Sequence, residues 1–311
     1  PQDGRIEMKI DDSVVDLRIS VLPTVYGEKI VMRILDRNNF LKTKEELGFT
    51  KSNMEKFNSL LEVPNGIILA AGPTGSGKTT TLYAALYELN KLNKNIITIE
   101  DPVEYKIEGI NQVQVNTKAG LLFSTGLRSI LRQDPNIIMV GEIRDEETAE
   151  IAVRAAITGH MVISTIHTND AVSTIMRLKD MGVKPFLVAA SLRGIVAQRL
   201  VKKVCLNCRI EYAANEAEKR LLGINTNVML QRGRGCPKCY YTGYSGRIAI
   251  HEILIIDKNI RDAIQNEKSN DEIAAMAERA GMNTLRDNCR ELVLSGVTTT
   301  EEFSQVIYEM P

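Results

Sequence analysis

The stretch GIILAAGPTGSGKTTTLYAAL, residues 66–86, narrows the choice of fold more than any other part of the chain. An apolar run meets a glycine-rich turn of the pattern G-x-x-x-x-G-K-[ST], Gly72 to Thr79, and a helical pattern follows at once. Glycines let the backbone curl until its N–H groups face phosphate oxygens, and the helix N-terminus adds a dipole that favours anions. The segment therefore reads as a grip for a nucleoside triphosphate, made by Gly72, Pro73, Thr74, Gly75, Ser76, Gly77, Lys78, Thr79 and Thr80. Lys78 is expected to reach the β- and γ-phosphates of ATP, and Thr79 to hold Mg2+. In the following helix Leu82, Leu86 and Leu89 share one face, ready to pack on a sheet.

Three more short apolar runs alternate with helical patterns: NIITIED (95–101), NIIMVGE (136–142) and MVISTIH (161–167). Such alternation predicts a parallel sheet flanked by helices. Ligands in open α/β sheets bind beyond the carboxyl ends of the strands, so the polar residues at those ends should share one site. They are Glu100, Asp101 and Glu104 in IEDPVE, Glu142 in MVGE, and His167 and Thr168 in STIHTND. Hydrolysis needs one carboxylate to orient or deprotonate water and another to position Mg2+. An Asp usually ends such a strand; here the place holds Glu142. Asp134 precedes its strand and reads as a turn cap.

The 311 residues leave room for two modest domains. Residues 5–36 read as β structure, with turn signals at Asp11-Asp12-Ser13, Pro23 and Gly27. They are too few for a domain, so residues 1–36 read as the C-terminal part of one, and the chain as a fragment of a longer protein. Residues 37–62 read as a linker with a joining helix, and 63–311 as the nucleotide-binding domain, ending in a helical part over 258–311. Ser269-x-x-Glu272 and Thr299-x-x-Glu302 have the pattern of capping boxes there. Charge balances at 39 basic and 39 acidic residues, which excludes a global pull toward nucleic acid or anionic membrane. No apolar stretch approaches the roughly 20 residues of a membrane span.

Four of five cysteines form two C-x-x-C pairs, Cys205/Cys208 and Cys236/Cys239, with 27 residues between them. That gap exceeds the common ribbon spacing of about 15–20, so the insert must loop out. Four soft thiolates suit a closed, structural, tetrahedral Zn2+ site. Unligated cysteines or a redox pair remain the alternatives. Cys289 falls with Leu285 and Leu292 on one helical face and reads as a small buried apolar residue.

The ordered set GPTGSGKT, IEDPVE, RQDPNIIMVGEIRD and TGHMVISTIHTNDA resembles the type II secretion and type IV pilus assembly ATPases, over nearly the whole chain. The resemblance implies a RecA-like ATPase domain with a parallel sheet, preceded by the tail of a smaller, PAS-like α/β domain and carrying a zinc-knuckle insertion over 205–239. It implies Glu104 as catalytic base, Glu142 as the Walker B acid, and His167, rather than His160, as phosphate sensor. Arginines of the preceding domain, Arg18 and Arg33, would act on the γ-phosphate. Arg128 and Arg132 form a second basic pair near the site, and their spacing puts them on one helix face. The tetracysteine module points to extension or export rather than retraction. The implied protein is a homo-hexameric, cytoplasmic motor at the inner face of the cell membrane. It would drive type IV pilus assembly through an inner-membrane platform protein, with type II secretion as the alternative and membrane association only through partners. No nucleic-acid partner is expected. A DNA translocase would want a basic channel with stacking aromatics, and aromatics are 5% here with no Trp. A nucleotide-binding scaffold without turnover is the remaining rival, against which the intact Glu104 and Glu142 weigh.

Overall fold

The alternating patterns at the start of the chain fold as strands. In the computed structural model, which describes residues 1–10, 13–36 and 42–308, β1 (Gln2–Ile10), β2 (Ser13–Thr24) and β3 (Gly27–Asp36) form an antiparallel sheet in that order. Asp11 and Asp12 of the expected turn, and residues 37–41 of the linker expected over 37–62, lie outside the described residues. Directly paired residues share a face, so Ile6, Leu17 and Ile34 line one side while Arg5, Arg18 and Arg33 line the other. Arg5 is neutralised by Asp16, with Nε donating to Oδ1 at 2.9 Å and Nη2 to Oδ2 at 2.5 Å. These strands belong to one compact unit, Pro1–Thr43; a second unit spans Lys44–Pro311. The PAS-like assignment goes beyond what the three strands contain.

In the second unit α1 (Lys51–Leu61) leads into β4 (Gly66–Ala71), and the phosphate-loop sequence opens α2 (Lys78–Leu89). There follow β5 (Ile96–Glu100), β6 (Asn111–Gln114), α3 (Phe123–Ile130), β7 (Ile137–Val140), α4 (Glu146–Ile157) and β8 (Met161–Ile166). Then come α5 (Ala171–Asp180), α6 (Pro185–Ser191) and β9 (Leu192–Val204). The cysteine insert carries β10 (Arg209–Ala213), α7 (Glu216–Leu222) and β11 (Met229–Gly233). Last are β12 (Tyr244–Ile255), α8 (Lys258–Gln265), α9 (Asn270–Arg279), α10 (Leu285–Leu294) and α11 (Thr300–Tyr308).

Seven strands form the main sheet in the order β12-β9-β4-β8-β7-β5-β6, parallel except for β12, which runs antiparallel to β9. Every residue of β4, β5, β7 and β8 is buried, which is why these strands read as unbroken apolar runs. One face is covered by α1 and α2, where Phe57, Leu60, Leu82, Tyr83 and Leu86 pack on Ile68, Met139 and Ile163. The other is covered chiefly by α3, α4, α5 and α6, through residues such as Leu127, Ala152, Ile175 and Val188. The expected α/β fold with a mostly parallel sheet is therefore present.

Two local details differ from expectation. Leu131 caps α3, so Arg132 lies past the helix; its Nη1 donates to the Arg128 carbonyl at 2.9 Å and caps the end instead. Ser269 and Glu272 form a full capping box at α9. At α11 only half of one forms, because the Glu302 carboxylate accepts from the Lys202 backbone N–H at 2.8 Å and from Lys202 Nζ at 2.9 Å.

Candidate functional site

Strand register levels the carboxyl ends on one edge of the sheet. Ala71 pairs with Ile166 on one side and Ala197 on the other, Val140 pairs with Ser164, and Ile99 with Val140. Gly72, His167, Gln198, Glu142 and Asp101 therefore emerge along the same edge. The loop between β4 and α2 needs its glycines. Gly72 sits at φ +148°, where a Cβ would meet Ser76 Oγ at 2.5 Å and the Gln198 carbonyl at 2.6 Å. Gly77 sits at φ +88° and caps α2 with no side chain, so the first N–H groups of the helix stay open to an anion.

Lys78 is buried, and its Nζ donates to the carbonyls of Gly72 at 2.6 Å and Pro73 at 2.8 Å. Burial lowers its pKa to about 8; Glu142 opposes the shift and Arg199 adds to it. Glu142 is nearly buried and meets Arg144 Nη2 at 2.5 Å and His167 Nε2 at 3.6 Å. Burial also lowers the pKa of His167, helped by the positive charges of Lys78 and Arg144, so its imidazole is neutral at physiological pH. Lys78, Glu142, His167, Arg144 and Arg199 thus form one electrostatic cluster at the phosphate loop. Ser76 Oγ is buried there without a hydrogen-bond partner among the described residues. Thr79 is exposed on the first turn of α2, next to Lys78.

The acids beyond β5 divide. Glu100 is buried and structurally committed: Tyr83 Oη donates to its Oε2, and Thr98 and Gln112 donate to Oε1 at 2.5 and 3.1 Å. The same Tyr83 hydroxyl accepts the Glu104 backbone N–H at 3.2 Å and so fixes the loop that carries Glu104. Asp101 is exposed. Arg128 pairs with Glu147 of α4 at 2.9 Å, with both side chains about half exposed. His160 lies at the opposite end of β8, with its Nδ1 2.9 Å from the Ala155 carbonyl, away from the phosphate loop. Arg18 and Arg33 sit opposite each other on β2 and β3 in the other unit.

Three residues of this edge escape sequence reasoning. Gln198 Nε2 donates to the Ser76 carbonyl at 2.8 Å and its Oε1 accepts from Thr81 Oγ1 at 2.6 Å, tying β9 to the phosphate loop. Arg199 reaches the histidine loop, donating to the Asn169 carbonyl at 3.0 Å. Arg144 covers Glu142. The only trace of the first two in the sequence is a Gln-Arg pair inside an otherwise apolar run, IVAQRLV.

The four cysteines of the two pairs converge, with their sulfurs all within 4.8 Å of one another. Cys205–Cys236, Cys208–Cys239 and Cys236–Cys239 separations are 4.0, 3.8 and 3.7 Å. Zn–S bonds of about 2.3 Å in a tetrahedron put sulfurs about 3.8 Å apart, so the donor set fits zinc. Burial opposes the thiolate of Cys239, but backbone N–H groups of the Cys236 and Gly243 segments, with the neighbouring thiols, outweigh it and lower its pKa, whereas burial raises that of Cys208. The long gap loops out as β10, α7 and β11. Cys289 is buried apart from this group, on α10.

The family described as Type II/IV secretion system protein matches residues 1–305. Type II secretion system protein E of Dickeya dadantii is 49% identical over 309 residues, covering 99% of this chain and 62% of that protein. Type IV pilus assembly ATPase PilB of Thermus thermophilus is 51% identical over 306 residues, 97% of this chain and 34% of that one. Among solved structures, the pilus retraction motor PilT with bound ADP superposes with a TM-score of 0.71 at 28% identity, covering 98% of this chain and 77% of that one. The Legionella pneumophila ATPase DotB reaches the same TM-score at 21% identity, covering 99% of this chain and 77% of that one, and shares the fold. The chain spans 62% of the length of the secretion relatives it matches. Among the described residues no helix is long and apolar enough to cross a membrane.

Proposed function

We propose a function from one premise: this chain belongs to the Type II/IV secretion system protein family, whose matched relatives include ATPases of secretion and of pilus assembly. It hydrolyses ATP as part of a motor of that class. The single observation that carries this reading is the meeting of Glu142 with His167 at 3.6 Å beside the Lys78 loop. The orphaned Ser76 hydroxyl, the glycine curl and the uncapped start of α2 fit a phosphate chain. The N–H groups of residues 72–80 would hold the triphosphate, Lys78 would leave the Gly72 and Pro73 carbonyls for the β- and γ-phosphates, and Thr79 would hold Mg2+. Bound Mg2+ supplies neutralisation of phosphate charge. Glu142 orients water or metal ligands, His167 donates a hydrogen bond to the γ-phosphate, and Glu104 takes the proton of the attacking water. For Arg18, Arg33, Arg128 and Arg132 the support is the family resemblance, together with the suitability of a planar guanidinium for charge developing on phosphate. Cys205, Cys208, Cys236 and Cys239 would hold zinc, which would tie the 205–239 insert together.

The assembled protein is a homo-hexamer that acts at the inner face of the membrane through a platform protein. We assign it to pilus assembly. The 49% identity to secretion proteins favours export to a similar degree, and a strain lacking the full-length protein separates the two by losing either pili or exported proteins. Phosphate release tests the ATPase itself. Glu142→Gln should bind ATP and lose turnover, and Lys78→Ala should lose binding or turnover. Equal phosphate release from wild type and Glu142→Gln would leave only a nucleotide-binding scaffold.

A further inference from the structure

A charge inside a sheet is costly unless it is hydrogen-bonded, so a buried Arg and a buried Glu on neighbouring strands call for an explanation. Arg199 on β9 is 4% exposed and Glu252 on β12 is 3% exposed. Ala197 pairs with Glu252 and Arg199 with Ile250, which puts the two side chains on one face of the ribbon, a diagonal step apart. Both are aimed at the same stretch of chain. Arg199 Nη2 donates to the Asn169 carbonyl at 3.0 Å and to Asn169 Oδ1 at 3.3 Å. Glu252 Oε1 accepts the Ala171 backbone N–H at 2.8 Å, at the first residue of α5. Its other oxygen accepts the Leu285 N–H at 3.2 Å, at the first residue of α10.

We propose that Arg199 and Glu252 form a buried clamp on residues 169–171 that positions His167 against Glu142, making both of them positioning residues for ATP hydrolysis. The inference rests on the ATPase reading above. His167 cannot fix its own place by packing, since its side chain is 49% exposed and its described partner is Glu142. The segment after it is what holds it. Gln198, the neighbour of Arg199, points to the opposite face and grips the Ser76 carbonyl of the phosphate loop. Two consecutive residues of β9 therefore fix the two loops that meet at Lys78. Glu252 carries the connection outward to α10. Burial pushes the Glu252 carboxyl up to about 7, with Asp170 and Glu278 adding to the shift. An apolar residue would bear no such cost, and what the carboxylate supplies in return is two oxygens for two helix ends.

The experiment is a double-mutant cycle in the full chain, measuring steady-state turnover of Mg-ATP and the affinity for a fluorescent ADP analogue. Arg199→Gln should lower kcat by about tenfold while the analogue's Kd moves by less than about threefold. In a His167→Ala background the same substitution should lower kcat by less than about twofold further, because its target is gone. Arg199→Lys should recover part of the loss. Glu252→Gln, which is isosteric and keeps one acceptor, carries the same cycle if Arg199→Gln does not fold. Fully multiplicative losses with His167→Ala would overturn the clamp, as would a loss of affinity as large as the loss of kcat, which would place Arg199 on the phosphates. A wild type without turnover would refute the ATPase reading; an active wild type with multiplicative variants would refute the clamp alone.

Discussion

Replacing Tyr83 by Phe tests how the acidic loop beyond β5 is held. Tyr83 is 1% exposed on α2, and its hydroxyl both donates to Glu100 Oε2 and accepts the Glu104 N–H. The ring stays in Phe, so no cavity opens and its edge contact with Tyr105 at 5.6 Å survives. The loss falls on polar groups. Thr98 and Gln112 both bond Oε1, so Oε2 is left with no hydrogen-bond partner among the described residues. A buried charged acceptor stripped of its donor costs about 1.5–3 kcal/mol. The Glu104 N–H is half-buried and adds little. The total is about 2–3 kcal/mol, and at about 2–4 °C per kcal/mol for a domain of this size the Tm should fall by about 4–12 °C. Equilibrium unfolding in urea, followed by circular dichroism, measures it. In a Glu100→Gln background the penalty should shrink by more than about 1 kcal/mol, since the charge that needed the donor is gone. Turnover should fall as well, because the Glu104 backbone loses its anchor. A stability change under about 0.5 kcal/mol with an unchanged m value would refute the reasoning.

Three other outcomes follow from the same site and its surroundings. Lys78 has a pKa of about 8 before a nucleotide arrives, and phosphate charge should restore it toward its ordinary value. Nucleotide binding at pH 8 should therefore take up about half a proton, and binding heats that do not depend on the buffer's ionisation enthalpy would refute this. His251 is buried on β12 against Phe49, ring centroids 3.8 Å apart, and burial pulls its pKa to about 3. The unfolded chain protonates His251 below about pH 6.5 and the folded chain resists, so the wild type loses about 2 kcal/mol by pH 5 from this group. His251→Phe should escape that loss, and a stability difference from wild type that stays constant between about pH 6.5 and 5 would count against it. Metal analysis should find about one zinc per chain, and chelation should lower the unfolding temperature of the 205–239 insert; a metal-free chain with unchanged unfolding would remove the zinc assignment.

The parts of this fold legible in sequence are those where one physical demand acts alone. β4, β5, β7 and β8 are buried on both faces, so they appear as plain apolar runs, and the phosphate loop follows from its glycines. β6 has four residues, NQVQ, on the sheet edge and gives no period to read. β9 and β12 hide for a different reason. Their interiors carry Gln198, Arg199, His251 and Glu252, all buried, which break the apolar pattern. Those four polar residues lie at the level of the phosphate loop, where Ala71 pairs with Ala197 and Gln198 with His251. Three of the four reach out with their side chains to place a loop or helix end, Gln198 at Ser76, Arg199 at Asn169 and Glu252 at Ala171. The groups expected to touch ATP are visible as a motif because the ligand dictates their spacing along the chain. The groups that hold them in place answer to spacing across strands, which no linear pattern records. What looks like a defect in a hydrophobic run is then a pointer to the site, and a buried Gln-Arg or His-Glu pair at a strand's midpoint marks where a sheet has been adapted to hold its loops.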